Sequence, residues 1–148
     1  LICYLDSSAL VKRYLTEHGS SQIREFIGDA EALGTVVISR AEIVATLGKA
    51  IRLGAVTREV AEAARRVLQI DWRDFARIAV SEHLVDRASD LAWIHGLRGY
   101  DSVQLAAAVT WQEELGIPVT LATFDGQLWE AAGRVGFDLY PPESPRIR

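Results

Sequence analysis

Only one cysteine occurs among the 148 residues, which excludes an internal disulfide and a cysteine-based zinc cluster. Cys3 lies in the apolar run LICYL, where a buried structural thiol is expected rather than a reactive one. No stretch approaches the roughly 20 apolar residues of a membrane span, and no basic-then-apolar signal segment opens the chain. The first residue is Leu rather than an initiator Met, which points to a trimmed start. Positive charge is also scarce. The formal net charge is −4, whereas typical nucleic-acid binders are basic. That shortage does not exclude nucleic acid, because 14 of the 16 basic residues are Arg, whose planar fork grips phosphate. An acidic metal site would also hold part of the negative charge, to be neutralised by cations. These features suit a cytoplasmic protein of bacterial type.

What is present reads as one domain over residues 1–148, with an irregular tail from about 141 (PPESPRIR). Hydrophobic residues at 49% and charged residues at 24% are ordinary for a globular protein, and no repeat or low-complexity tract interrupts them. Short continuous apolar runs at Leu1–Leu5, Thr35–Ile38 and Val119–Ala122 predict strands covered on both faces. Weaker strand signals lie at Ala76–Val80 and Phe137–Tyr140. Helical spacing of apolar residues predicts helices over Ala9–Glu17, Ser21–Leu33 and Arg40–Leu53, the last ended by Gly54. Further helices are expected over Arg58–Asp71, Glu82–Ile94, Asp101–Leu115 and Gly126–Val135. Strands alternating with helices make the class α/β, with a parallel sheet between helical layers.

In such a sheet the carboxyl ends of all strands share one edge, and helices returning antiparallel begin there. Four acids meet that condition. Asp6 ends the first strand, Glu42 lies four residues beyond the second (VVISRAEI), Asp101 opens a helix, and Asp125 follows a strand (LATFDGQL). Four converging carboxylates repel unless protonated or bridged by cations, and hard ions such as Mg²⁺ or Mn²⁺ take oxygen ligands. Such ions can activate water and stabilise the leaving oxygen of a phosphodiester in an in-line displacement. Helix capping explains the same residue types one at a time. Ser39–Glu42 matches a capping box, Asp101 with Gln104 could form an equivalent cap, and Asp125–Gly126 and Asp6 with Ser7 or Ser8 could be turns. Both readings stand at this level.

The motifs resemble those of the PIN-domain family, especially its VapC-type toxins. YLDSSALVKRYLTE is similar to the family's first motif, VISRAEIVATL to its second, HGLRGYDSVQLAAA to its third and LATFDGQLWEAAGRVGF to its last. In order they span Tyr4 to Phe137. The resemblance implies a PIN-like three-layer sandwich around a mainly parallel sheet of about five strands. It also implies Mg²⁺- or Mn²⁺-dependent RNA cleavage, with Asp6, Glu42, Asp101 and Asp125 as metal ligands and catalytic acids. The fourth acid is the least uniform of these in the family. Ser7 or Thr123 would hold a carboxylate or a metal-bound water; Ser7 as a plain helix cap is equally open. Many relatives carry His where Gln104 stands, a departure that leaves metal binding intact. The expected partners are an RNA substrate, a VapB-like antitoxin and a second copy of the chain, the latter two on the apolar faces of the first three helices.

Lys12, Arg13, Lys49, Arg52 and Arg98 lie near the acidic motifs and could guide RNA phosphates, although solvated helix charge is the plainer reading. His18, His83 and His95 show no metal-ligand spacing. Trp72, Trp93, Trp111 and Trp129 suit packing better than base stacking. No G-x-S-x-G elbow or G-x-x-x-x-G-K-[ST] loop occurs, and DSSAL lacks the second Asp of a haloacid-dehalogenase-like phosphatase. Two alternatives remain to the ribonuclease: a catalytically silent PIN-like RNA- or protein-binding module, and a metal-dependent phosphatase acting on small molecules.

Overall fold

The computed structural model describes residues 1–145; the last three residues of the tail lie outside the described residues. Five strands form one sheet in the order β3-β2-β1-β4-β5: β1 Ile2–Leu5, β2 Ala32–Val36, β3 Ala76–Ile78, β4 Thr120–Ala122 and β5 Asp138–Tyr140. Every pairing is parallel, with Cys3 beside Leu33 on one side and Thr120 on the other. The helices are α1 Ser7–Leu10, α2 Ser20–Gly28, α3 Ser39–Arg52, α4 Arg58–Asp71, α5 Glu82–His95, α6 Gly99–Leu115 and α7 Gly126–Arg134. This is the expected α/β three-layer arrangement.

Alternation along β1 divides the core in two. Tyr4 joins Val36, Leu121 and the apolar side of α5, α6 and α7 on one face. Cys3 and Leu5 join Leu10, Ile23, Ile43 and Leu68 on the other, under α1 to α4. Side chains of a strand point to opposite faces in turn, so a short unbroken apolar run is what a doubly covered strand needs. Cys3 is fully enclosed, and burial pushes its thiol up to about 11, in keeping with a structural role. Trp72 and Trp111 are buried, and Trp129 donates to the Pro141 carbonyl, whereas Trp93 is 91% exposed. Trp111 covers β2 so closely that a Cβ at Gly34 would stand 2.5 Å from its ring. The strand tolerates glycine there because an aromatic ring takes the space.

Several boundaries differ from the sequence reading. The helix expected over Ala9–Glu17 is only α1, which tightens into a 3-10 turn at Val11–Arg13. Side chains satisfy the backbone groups that the early end releases. The Ser20 hydroxyl donates to the Leu15 carbonyl and accepts from the Glu17 N–H, and Lys12 donates to the His18 carbonyl. The helix expected to reach Leu33 ends at Gly28, and the second strand runs from Ala32 to Val36 rather than from Thr35 to Ile38. Ladder pairing of Ala32–Gly34 with Ile2–Tyr4 outweighs the helical periodicity, leaving Val37 and Ile38 partly exposed beyond the strand.

Candidate functional site

The chain crosses from β1 outward to β2 and β3, then returns to build β4 and β5 on the other side of β1. Strand order therefore reverses between β1 and β4, and the crevice beyond their carboxyl ends is where parallel sheets bind ligands. Asp6 leaves β1 at this point, its N–H bonded to the Ala122 carbonyl of β4 at 3.2 Å. Its carboxylate caps α1. Oδ1 accepts from the Ala9 N–H at 2.9 Å and from the Ser8 hydroxyl at 2.7 Å, and Oδ2 accepts from the Thr123 hydroxyl at 2.6 Å. Thr123 in turn accepts from the Asp125 N–H at 3.0 Å, tying the β4 loop to the β1 acid. Asp6 is 3% exposed, and burial pushes its pKa from 3.8 up to about 6 despite those three donors, with the Asp101 charge adding to the rise.

Glu42 stands in the first turn of α3. The capping box read from Ser39 and Glu42 is not formed: no side chain caps this helix, and Ser39 is buried. Instead the Ser7 hydroxyl donates to Glu42 Oε2, and the Gln104 amide donates to Oε1 at 3.4 Å. Ser7 thus holds a carboxylate, as Thr123 does. Burial raises the Glu42 pKa, the donors Ser7, Tyr100 and Gln104 work against the rise, and the Asp101 charge adds to it. Sequence reasoning overlooked Tyr100, whose only signal was its place just before Asp101.

Asp101 and Gln104 do not form the alternative cap either, since α6 starts at Gly99 without a side-chain cap. Asp101 is 8% exposed, and its pKa is raised by burial and by the Asp125 charge, against the pull of Arg98. Asp125 does cap α7, its Oδ1 accepting from the Leu128 N–H at 2.9 Å, which leaves Oδ2 facing Arg98. The Arg98 guanidinium bridges the two acids, with Nε 3.0 Å from Asp101 Oδ2 and Nη2 3.0 Å from Asp125 Oδ2.

The four acids thus meet at one edge, near enough for Asp101 to raise Asp6 and Glu42 and to be raised by Asp125. Among the described residues, no three Asp, Glu, His or Cys side chains stand close enough to enclose an ion. The carboxylates are turned towards protein donors rather than set as a finished cage. Their chemistry still fits a hard divalent cation: the donor set is all oxygen, its charges repel, and Asp101 and Asp125 already share one cationic group.

The basic residues divide. Lys12 is buried, its ammonium bonded to Glu17 at 3.0 Å and to the His18 carbonyl at 2.6 Å and lying 4.5 Å from the Phe124 ring centroid. Arg13 is paired with Asp71 at 2.7 Å. Lys49 and Arg52 are exposed along α3, and Arg98 stands in the site itself.

Known proteins share this fold. The PIN domain family matches residues 3–134. The chain belongs to the PIN-domain family. Ribonuclease VapC45 of Mycobacterium tuberculosis is 31% identical over 96% of each chain. The fold of this PIN domain is also that of M. tuberculosis VapC20, described as a sarcin-ricin loop cleaving toxin, with a TM-score of 0.66 at 15% identity over 97% of this chain and 99% of the other. A toxin–antitoxin complex from Klebsiella pneumoniae contains the same fold, with a TM-score of 0.66 and 14% identity over 96% and 98% of the two chains.

Proposed function

We propose that this PIN domain is a Mg²⁺- or Mn²⁺-dependent endoribonuclease and the toxin of a VapBC-type pair. The observation that carries the reading is the meeting of Asp6, Glu42, Asp101 and Asp125 at the switch point, where burial and then the neighbouring carboxylate charges raise the pKa of Asp6, Glu42 and Asp101. These four residues would hold the cation. When bound, it supplies charge neutralisation at the scissile phosphate and makes water a better nucleophile at neutral pH. Ser7 keeps Glu42 oriented, and Ser8 and Thr123 keep Asp6 oriented, through the hydrogen bonds described above. Arg98 lies where it can leave its two acids for an RNA phosphate, and Lys49 and Arg52 would extend the basic track. Water adds to phosphorus and the bond to the 3′-oxygen breaks, giving 5′-phosphate and 3′-hydroxyl ends.

RNA as the substrate class and an antitoxin as partner are supported by the ribonuclease and toxin–antitoxin relatives. An exposed apolar row on α4 (Val60, Val67 and Ile70, with Leu53 nearby in sequence) gives a partner protein something to cover. Homodimerisation and a cytoplasmic setting belong to the same reading. Among the described residues no helix is long and apolar enough to cross a membrane.

One observation favours a silent binding module instead: the carboxylates form no finished ion cage, and Arg98 bridges two of them. Cleavage of total bacterial RNA by antitoxin-free protein separates the two. Fragments are expected with Mg²⁺ or Mn²⁺, and none with EDTA or in Asp6→Asn and Asp101→Asn. Binding of RNA by folded, metal-supplied protein with no fragments would establish the module; cyclic 2′,3′-phosphate ends would refute the water-addition chemistry.

A further inference from the structure

Beneath the acidic edge lies a chain of buried polar groups that the proposed reaction does not itself use. Tyr4 and Ser39 are fully buried, and Thr35 and Gln104 nearly so. The Tyr4 hydroxyl oxygen accepts from the Val36 N–H at 3.2 Å and donates its proton to Gln104 Oε1 at 2.6 Å. The acceptor side of the amide is thereby committed to Tyr4, and Nε2 must face the other way. There it donates to the Ser39 hydroxyl at 3.0 Å and to Glu42 Oε1 at 3.4 Å. Ser39 is in turn 2.8 Å from the Thr35 hydroxyl, which donates to the Leu5 carbonyl at 2.7 Å. Among the described residues no buried side-chain polar atom lacks a partner, so this network is fully satisfied. A satisfied buried network specifies one arrangement, because each broken bond leaves a stranded polar group.

Both Glu42 oxygens are therefore held, Oε2 by Ser7 and Oε1 by Gln104. Gln104 lies three residues beyond Asp101 on α6, and Tyr4 lies two residues before Asp6 on β1. We propose that Gln104, oriented by Tyr4, is a positioning residue that presents the Glu42 carboxylate to the divalent cation. The proposal rests on the metal-dependent reading above. A neutral imidazole has one acceptor and one donor nitrogen, so His at this position can take the Tyr4 proton and donate towards Glu42 as the amide does. Met is close to Gln in shape but offers Tyr4 only a weak sulfur acceptor and has no proton to donate to Glu42.

The test is Mn²⁺ binding to the purified protein by calorimetry, beside the Mn²⁺ concentration that half-saturates RNA cleavage. Outer partners of metal ligands typically alter affinity by about 10–100-fold, and Gln104→Met is expected to weaken Mn²⁺ by about 10-fold. Its cleavage rate at saturating Mn²⁺ should fall less than its affinity. Gln104→His should recover wild-type affinity to within about 3-fold, on the same scale. Tyr4→Phe, which touches no acid, frees the amide to turn its oxygen towards Glu42 and should weaken Mn²⁺ in the same direction. Thermal melts check whether each variant is folded. Wild-type Mn²⁺ affinity in folded Gln104→Met, or in folded Tyr4→Phe should Gln104→Met not fold, overturns this proposal and leaves the metal reading standing. Wild-type protein that takes up no Mn²⁺ overturns both.

Discussion

Replacing Asp6 by Asn separates what this carboxylate costs the fold from what it does at the site. Burial lifts its folded pKa from 3.8 to about 6, so the native state binds the Asp6 proton more tightly than the unfolded chain does. The stability this provides is fully present below 3.8 and is lost as the pH rises through about 6. At neutral pH the buried charge therefore costs roughly 3 kcal/mol, taking about 1.36 kcal/mol per pKa unit. Asn removes the charge without stranding the neighbours. Its carbonyl still accepts from the Ala9 N–H and Ser8, its amide donates to Thr123, and the Thr123 proton can turn to the Ser8 oxygen 3.3 Å away. In EDTA at pH 7.5 the variant should melt above wild type by roughly 6–12 °C for a domain of this size. It should also lack most of the wild type's gain in Tm between pH 7.5 and pH 5. Added Mg²⁺ should raise the Tm of wild type only, since ligand binding stabilises the state that binds it. Differential scanning fluorimetry across pH, with EDTA or Mg²⁺, reads all three effects. A variant that melts below wild type in EDTA, or that keeps the wild-type pH slope, would show that the buried Asp6 charge does not burden the fold.

Two further perturbations test other parts of the structure. Arg98→Ala removes the guanidinium that, on the metal-dependent reading, would compete with a cation for Asp101 and Asp125. At 70% side-chain exposure its ion pairs are worth at most about 1 kcal/mol each. Calorimetry should therefore find Mn²⁺ bound about 2–5-fold more tightly, on that same estimate, and unchanged or weaker binding would count against competition. Gly34→Ala forces a Cβ against the Trp111 ring, where the distance would be 2.5 Å. Overpacking of this kind costs about 1–3 kcal/mol, so urea unfolding should show a lower midpoint; an unchanged midpoint would mean that Trp111 can move aside freely.

The acids were legible because their signal is local: an apolar run that ends in Asp, or an acid at the start of an apolar helix, already says strand end or helix start. Parallel strands then bring those positions to one edge. The rival capping explanation was sound for Asp6 and Asp125, both of which cap helices. It failed for Ser39, whose hydroxyl is drawn inward by Thr35 and Gln104, and for Asp101, whose carboxylate is taken by Arg98. Neither competition is visible in a window of a few residues. The second strand was displaced for the same reason, because its pairing with β1 decided its register.

The order and spacing of apolar runs and acids determined by themselves that this chain is an α/β protein with four carboxylates at the carboxyl edge of its sheet. These features follow from backbone periodicity and from how parallel strands must be connected. Tertiary structure alone decided what each carboxylate meets: Ser7 and Gln104 for Glu42, Thr123 for Asp6, and one guanidinium shared by Asp101 and Asp125. It also decided that Lys12, which looks like a surface cation in the sequence, points its charge into the protein. Burial and long-range hydrogen bonds depend on residues that lie far apart in the chain: Gln104 is 62 positions from Glu42 and 100 from Tyr4. Only the folded topology brings them together.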